Sequence, residues 1–176
     1  MSRFVFLRLI FGSALLLAGS GVGLQASEAA SKTAADEGFE KVGFELLAAF
    51  NYTPPGYEAN SATPKEGEVK KDQIPDYVRE LDEKKISITG FMLPTKFKDG
   101  KVTELLLMKD QSGCCFGAMP RINEWIIVKM TNGGVPPLMD MPLTFVGKLK
   151  VGEVFEEGYL AGIYQLEGEK LLDVKG

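Results

Sequence analysis

The sequence predicts a mainly β domain: a small antiparallel barrel of five strands preceded by one amphipathic helix. Three observations predict it. Hydrophobic spacing switches once from helical to alternating, near Ile86; five short apolar runs follow, separated by turns rich in Gly or Pro; and no helical pattern returns between them. With 176 residues, 45% hydrophobic and 25% charged, the chain suffices for one compact domain and not comfortably for two.

The first 26 residues stand apart. Arg3 and Arg8 flank the start of a charge-free run over residues 9–18, and small residues including Gly19, Ser20, Gly23 and Ala26 follow, the grammar of a secretory signal peptide. The apolar centre is shorter than the roughly 20 residues a spanning helix needs, so cleavage is expected, after Ala26 or, as a second choice, Ala29. Neither cysteine lies at this junction, which argues against a lipid anchor. Residues 27–37 carry no large apolar side chain and read as a mobile leader. A single domain is expected over residues 38–176.

In that domain Phe39, Val42, Leu46 and Leu47 fall at helical spacing, with Phe44 and Phe50 at the margins, predicting the amphipathic helix over 38–50. Residues 51–68 hold Pro54, Pro55, Gly56, Pro64 and Gly67 and read as a loop, wrapped on the domain by Tyr52 and Tyr57. Pro75, with Tyr77, Val78 and Leu81 behind it, suits a short helical turn over 75–81. The first strand, 86–92, alternates Ile86, Ile88, Gly90 and Met92 against Ser87, Thr89 and Phe91, with Gly90 a bend or bulge. Asp99 and Gly100 make a hairpin turn into the second strand, 102–108. Strand three, 124–130, ends at Asn132, Gly133 and Gly134. Strand four, 143–151, alternates Leu143, Phe145, Gly147, Leu149 and Val151, and strand five covers 158–166. This succession favours an OB-like barrel, with an open twisted sheet or small sandwich as the alternative.

Composition excludes several functions. No histidine is present, which removes Ser-His-Asp and Cys-His nucleophile systems and His-rich zinc sites. Net charge is −4, and loss of Arg3 and Arg8 with the signal leaves 18 basic against 24 acidic residues, or −6; phosphate-backbone binding needs the opposite balance. No Gly-x-Ser-x-Gly elbow, Walker loop or dinucleotide fingerprint occurs. Glu156 with Glu157, and Asp82 with Glu83, read as turn or surface acids. The expectation is therefore a protein that is not an enzyme.

Chemistry concentrates in residues 110–123, a long connection between strands two and three. It holds the only cysteines, Cys114 and Cys115, side by side. Adjacent Cα atoms are about 3.8 Å apart, below the usual disulfide span of about 4.4–6.8 Å. Four readings stand: structural thiols, a soft-metal site, a redox pair, or an intermolecular bridge. Two thiolates do not fill a zinc site, whereas cuprous copper accepts fewer and softer ligands. Met119 and Asp110 are the further candidate ligands, with Met139, Met141 and Asp140 in the next loop. Thiolate ligation requires lowered thiol pKa values, for which Lys109 and Arg121 are the nearest cations in sequence.

The stretches ISITGFMLP, KVTELLLMKD and CCFGAMPRINEWIIV resemble a bacterial family of exported proteins, domain of unknown function 3299, over about residues 39–171. Cys115, Pro120 and Asn123 match the family's cysteine loop, while the histidine that many members carry nearby is missing here. The resemblance implies an OB-like fold and a setting beside export or metal-handling transporters.

The expected protein is thus a periplasmic or otherwise extracytoplasmic binding or accessory component, soluble once its signal is removed. Its expected ligand is zinc or copper at Cys114, Cys115, Met119 and Asp110, and its expected partner an envelope or transporter protein. The alternatives are a thiol redox protein and a structural adaptor that binds a partner protein through the barrel face.

Overall fold

The computed structural model describes residues 38–54, 73–111 and 119–172. The signal peptide, the leader, Tyr57 and both cysteines lie outside the described residues. The elements are β1 (Glu40–Lys41), α1 (Phe44–Leu47), α2 (Asp76–Arg79), β2 (Lys85–Lys98), β3 (Lys101–Met108), a 3-10 turn (Ile122–Glu124), β4 (Trp125–Met130), β5 (Pro142–Glu156) and β6 (Tyr159–Leu171). The protein is mainly β, as its alternating spacing predicts.

One six-stranded sheet runs in the order β1-β2-β3-β4-β6-β5, and β2 also pairs with β5. The long β2 pairs in parallel with β1 at Ile86 and Ser87 and serves β5 and β3 in turn. Its first half, from Lys85 to Phe91, pairs antiparallel with β5, and its second half, from Phe91 to Lys98, with β3. Strands β4 and β6 pair in parallel, because β5 carries the chain back between them.

Both tight hairpins use two-residue turns with positive φ at each central residue: Asp99 (51°) and Gly100 (76°), then Glu157 (51°) and Gly158 (86°). That backbone matches the right-handed twist of the flanking strands. Gly147 sits where β5 crosses β6 at a register shift; a Cβ there would land on the Glu167 carbonyl oxygen. Gly90, expected at a bend, lies instead in continuous register with β5. Its missing side chain leaves room for the Met108 carbonyl, which a Cβ would approach to 2.6 Å, and for the Phe44 ring at 3.0 Å.

Inward-facing Ile86, Ile88, Leu105, Leu107, Ile126, Val128, Phe145, Leu149, Tyr164 and Leu166 form one core, which Phe44, Leu47, Val78 and Leu81 join. The helix expected over 38–50 is the single turn α1, preceded by β1. The reason lies in where its apolar residues go. Phe39 packs on the far side of the sheet with Val146 and Leu172, whereas Val42 enters the main core and Leu46 is exposed. A stripe aimed at two different clusters cannot lie on one helical face. The turn at 75–81 forms as expected, with Val78 and Leu81 buried and Tyr77 exposed.

Candidate functional site

Two features meet at one end of β3 and β4: the base of the segment that holds the cysteines, and an apolar surface on the outside of the sheet.

The base is closed. The Lys109 N–H donates to the Glu124 carbonyl at 2.9 Å, so the chain leaves and rejoins the sheet at one place. Glu124 organises it. Its carboxylate accepts the Arg121 backbone N–H at 2.9 Å, the Arg121 guanidinium at 3.0 Å and the Lys109 ammonium at 3.0 Å. Burial alone would raise this carboxyl, but the bonds from Arg121 and Lys109 outweigh it and hold it at about 2. Lys109 and Arg121, the cations nearest the cysteines in sequence, are therefore paired with a carboxylate.

The same turn clamps the N-terminal strap. Helix α1 ends with carbonyls that have no partner within the helix, and three side chains reach the end of this strap. Tyr164 Oη donates to the Leu47 carbonyl at 2.9 Å, Arg121 to that of Ala48 at 3.2 Å, and Asn123 Nδ2 to that of Phe50 at 2.7 Å. Burial raises the Tyr164 hydroxyl above its ordinary range, keeping it a donor. Asn123 is fully buried, and among the described residues its Oδ1 has no partner. Further along the strap, Tyr52 donates to Glu153 Oε1 at 2.7 Å, so Tyr52 does wrap onto the domain.

Of the four residues expected to bind metal, Asp110 and Met119 are described and both are exposed, Met119 at 88%. They stand at the two ends of the cysteine segment. The neighbouring loop reaches the same place, since Gln111 Nε2 donates to Asp140 Oδ1 at 3.2 Å. Among the described residues no three of Asp, Glu and Cys gather as a metal-holding group.

The apolar surface was not singled out from the sequence. Phe91, Met108 and Trp125 are cross-strand partners in β2, β3 and β4, and Leu93, Leu106 and Ile127 form the next row. These side chains lie on the face opposite the core residues Met92, Leu105, Leu107, Ile126 and Val128. Leu93 is 41% exposed, Phe91, Leu106, Met108 and Trp125 are half-buried, with Trp125 also packed against the main core, and Ile127 is buried at 3%. A third row is charged: Lys96 and Glu104 pair at 2.9 Å, Lys129 is the cross-strand partner of Glu104, and Lys129 pairs with Glu156 at 3.0 Å. On the β4 side the surface is bordered by the β5–β6 hairpin, where Ala161 accepts the Trp125 indole N–H at 3.0 Å. The signal was available in sequence. LLLM in β3 and WIIV in β4 are apolar on both faces, whereas a strand with one solvated face alternates.

Residues 28–173 match the model of a family described as "Protein of unknown function (DUF3299)". A solved structure of a DUF3299 family protein from Pseudomonas aeruginosa PAO1 is similar in fold, with 20% identity and a TM-score of 0.51 over 78% of this chain and 99% of that one. No curated protein matches the chain.

Proposed function

Since the chain belongs to the DUF3299 family, whose function is unknown, we propose its role from geometry: an exported, non-enzymatic binding module of the cell envelope that docks a partner protein on the outer face of β2, β3 and β4. The carrying observation is the apolar row Phe91–Met108–Trp125 with Leu93 and Leu106 beside it, Ile127 at the end of the second row being buried. Soluble proteins rarely leave such rows uncovered without use. The charges at the margins are already paired within the chain, Lys96 with Glu104, Lys129 with Glu156, and Lys109 and Arg121 with Glu124. The surface therefore suits a partner that presents apolar, uncharged side chains.

The finer reading of the fold is an OB-like barrel. Pairings that run β2-β3-β4-β6-β5 and back to β2, with β4 parallel to β6, support it. In such barrels the outer face of the second and third strands is the usual binding surface, which here means β3 and β4.

The test is site-specific photo-crosslinking in cells that export the protein. A crosslinker at Leu93 or Leu106 should capture one partner protein, while one at Lys150 on β5 should not. Leu106→Glu should abolish capture from position 93. Equal capture from all three positions, or none from the face, overturns the proposal.

A second reading keeps the cysteines as a soft-metal site. It is supported by the closed base of the segment and by the exposure of Asp110 and Met119 at its two ends. The reduced mature protein should then bind zinc or cuprous ions more tightly than a Cys114→Ser, Cys115→Ser variant. Equal binding by the two proteins removes this reading.

A further inference from the structure

We infer that Asn132–Gly133 is a self-modification site, at which the side-chain amide of Asn132 is lost through a cyclic imide and the β4–β5 connection is loosened. Four asparagines occur in the chain, and Asn132 alone precedes glycine; Asn51, Asn60 and Asn123 precede Tyr, Ser and Glu. The chemistry needs the following residue's backbone nitrogen to reach the asparagine Cγ, and glycine imposes the least steric hindrance to that approach.

The structure adds exposure, backbone freedom and, among the described residues, an unoccupied nitrogen. Asn132 and Gly133 are exposed. Gly133 has φ +81° and Gly134 φ +84°, so two successive residues have the backbone freedom of glycine. No hydrogen bond occupies the Gly133 N–H among the described residues. The dipeptide also hangs between fixed points: Thr131 N–H and Oγ1 both donate to the Gly168 carbonyl, at 2.9 and 3.0 Å, and Val135 exchanges two backbone bonds with Val102, at 2.8 and 2.9 Å.

The step balances without any oxidant or reductant. Solvent base takes the Gly133 amide proton, the nitrogen attacks Asn132 Cγ, the new N–Cγ bond closes a five-membered imide, and the Cγ–Nδ2 bond breaks to release ammonia. Water then opens the ring at either carbonyl, leaving aspartate or isoaspartate. The side-chain bond that Asn132 makes among the described residues, from Nδ2 to the Glu169 carbonyl at 3.0 Å, disappears in both products, and a carboxylate faces that carbonyl instead. Isoaspartate also lengthens the link that sets Val135 against Val102. The same connection carries Asp140, the partner of Gln111 beside the cysteine segment.

The experiment ages the folded mature protein at mildly alkaline pH, maps asparagine-containing peptides by mass, and assays isoaspartate by enzymatic methylation. Asn132 should convert first, several-fold ahead of Asn51 and Asn60, with both acids as products. The methylation signal should be lost in Asn132→Gln. Backbone hydrogen exchange at Val102 and Val135 should quicken in aged wild type and remain unchanged in aged Asn132→Gln. Retention of the Asn132 amide for as long as those of Asn51 and Asn60 overturns the site. Conversion without faster exchange at Val102 and Val135 overturns the loosening.

Discussion

Replacing Glu124 by Gln tests what closes the base of the cysteine segment. The substitution keeps shape and removes charge from a carboxylate that accepts three hydrogen bonds and whose side chain is 17% exposed. A drop from 4.5 to about 2 corresponds to ~3 kcal/mol if taken in full. The partners Lys109 and Arg121 are 39% and 48% exposed, and solvent screening reduces that to ~1–2 kcal/mol. The folded pKa is depressed, so this stabilisation is fully present above 4.5 and is lost as pH falls from 4.5 through about 2. Urea unfolding at neutral pH should therefore show the Gln variant less stable by ~1–2 kcal/mol. The gap should close at a pH near the folded value, where the wild-type carboxyl is itself protonated. A gap of equal size at both pH values, or none at neutral pH, would refute the assignment of the low pKa to these bonds.

Two other predictions concern the frame around the site. Gly147→Ala places a methyl on the Glu167 carbonyl and should cost about 2–3 kcal/mol in denaturant unfolding; an unchanged midpoint would mean that β5 and β6 do not cross so closely. Tyr164→Phe leaves the Leu47 carbonyl without its donor and should cost ~1–2 kcal/mol, with faster proteolysis of the strap over residues 38–54 as the second readout. Loss of stability without exposure of the strap would put the role of Tyr164 in packing alone.

How much of this was legible depends on how far each residue's neighbours are local. The strands could be read because Ile86, Ile88, Leu105, Leu107, Leu143 and Phe145 alternate into one core, and the Asp99–Gly100 turn because its backbone demands residues that tolerate positive φ. Strand length was harder. β5 and β6 run on past Val151 and Leu166 through half-buried residues, with Gly152 and register shifts interrupting the alternation. The N-terminal helix is shorter than its apolar spacing suggests, because spacing reports which residues are apolar and not which core each one enters. Glu124 offered no sequence signal at all, since a carboxylate ahead of an apolar run reads as a surface acid until Lys109 and Arg121 fold against it.

Position gives the two proposed uses of this end of the molecule a physical link. The row Phe91–Met108–Trp125 ends where β3 gives way to Lys109 and where β4 begins after Glu124, so the apolar surface and the base of the cysteine segment share residues of two strands. A substitution at Glu124 acts on the base through Lys109 and Arg121, whereas one at Leu93 or Leu106 acts on the surface one row away without touching those charges. Crosslinking from Leu93 that survives Glu124→Gln would show that the surface works without the closed base. Its loss, with the fold intact, would make the cysteine segment and the docking face one functional unit.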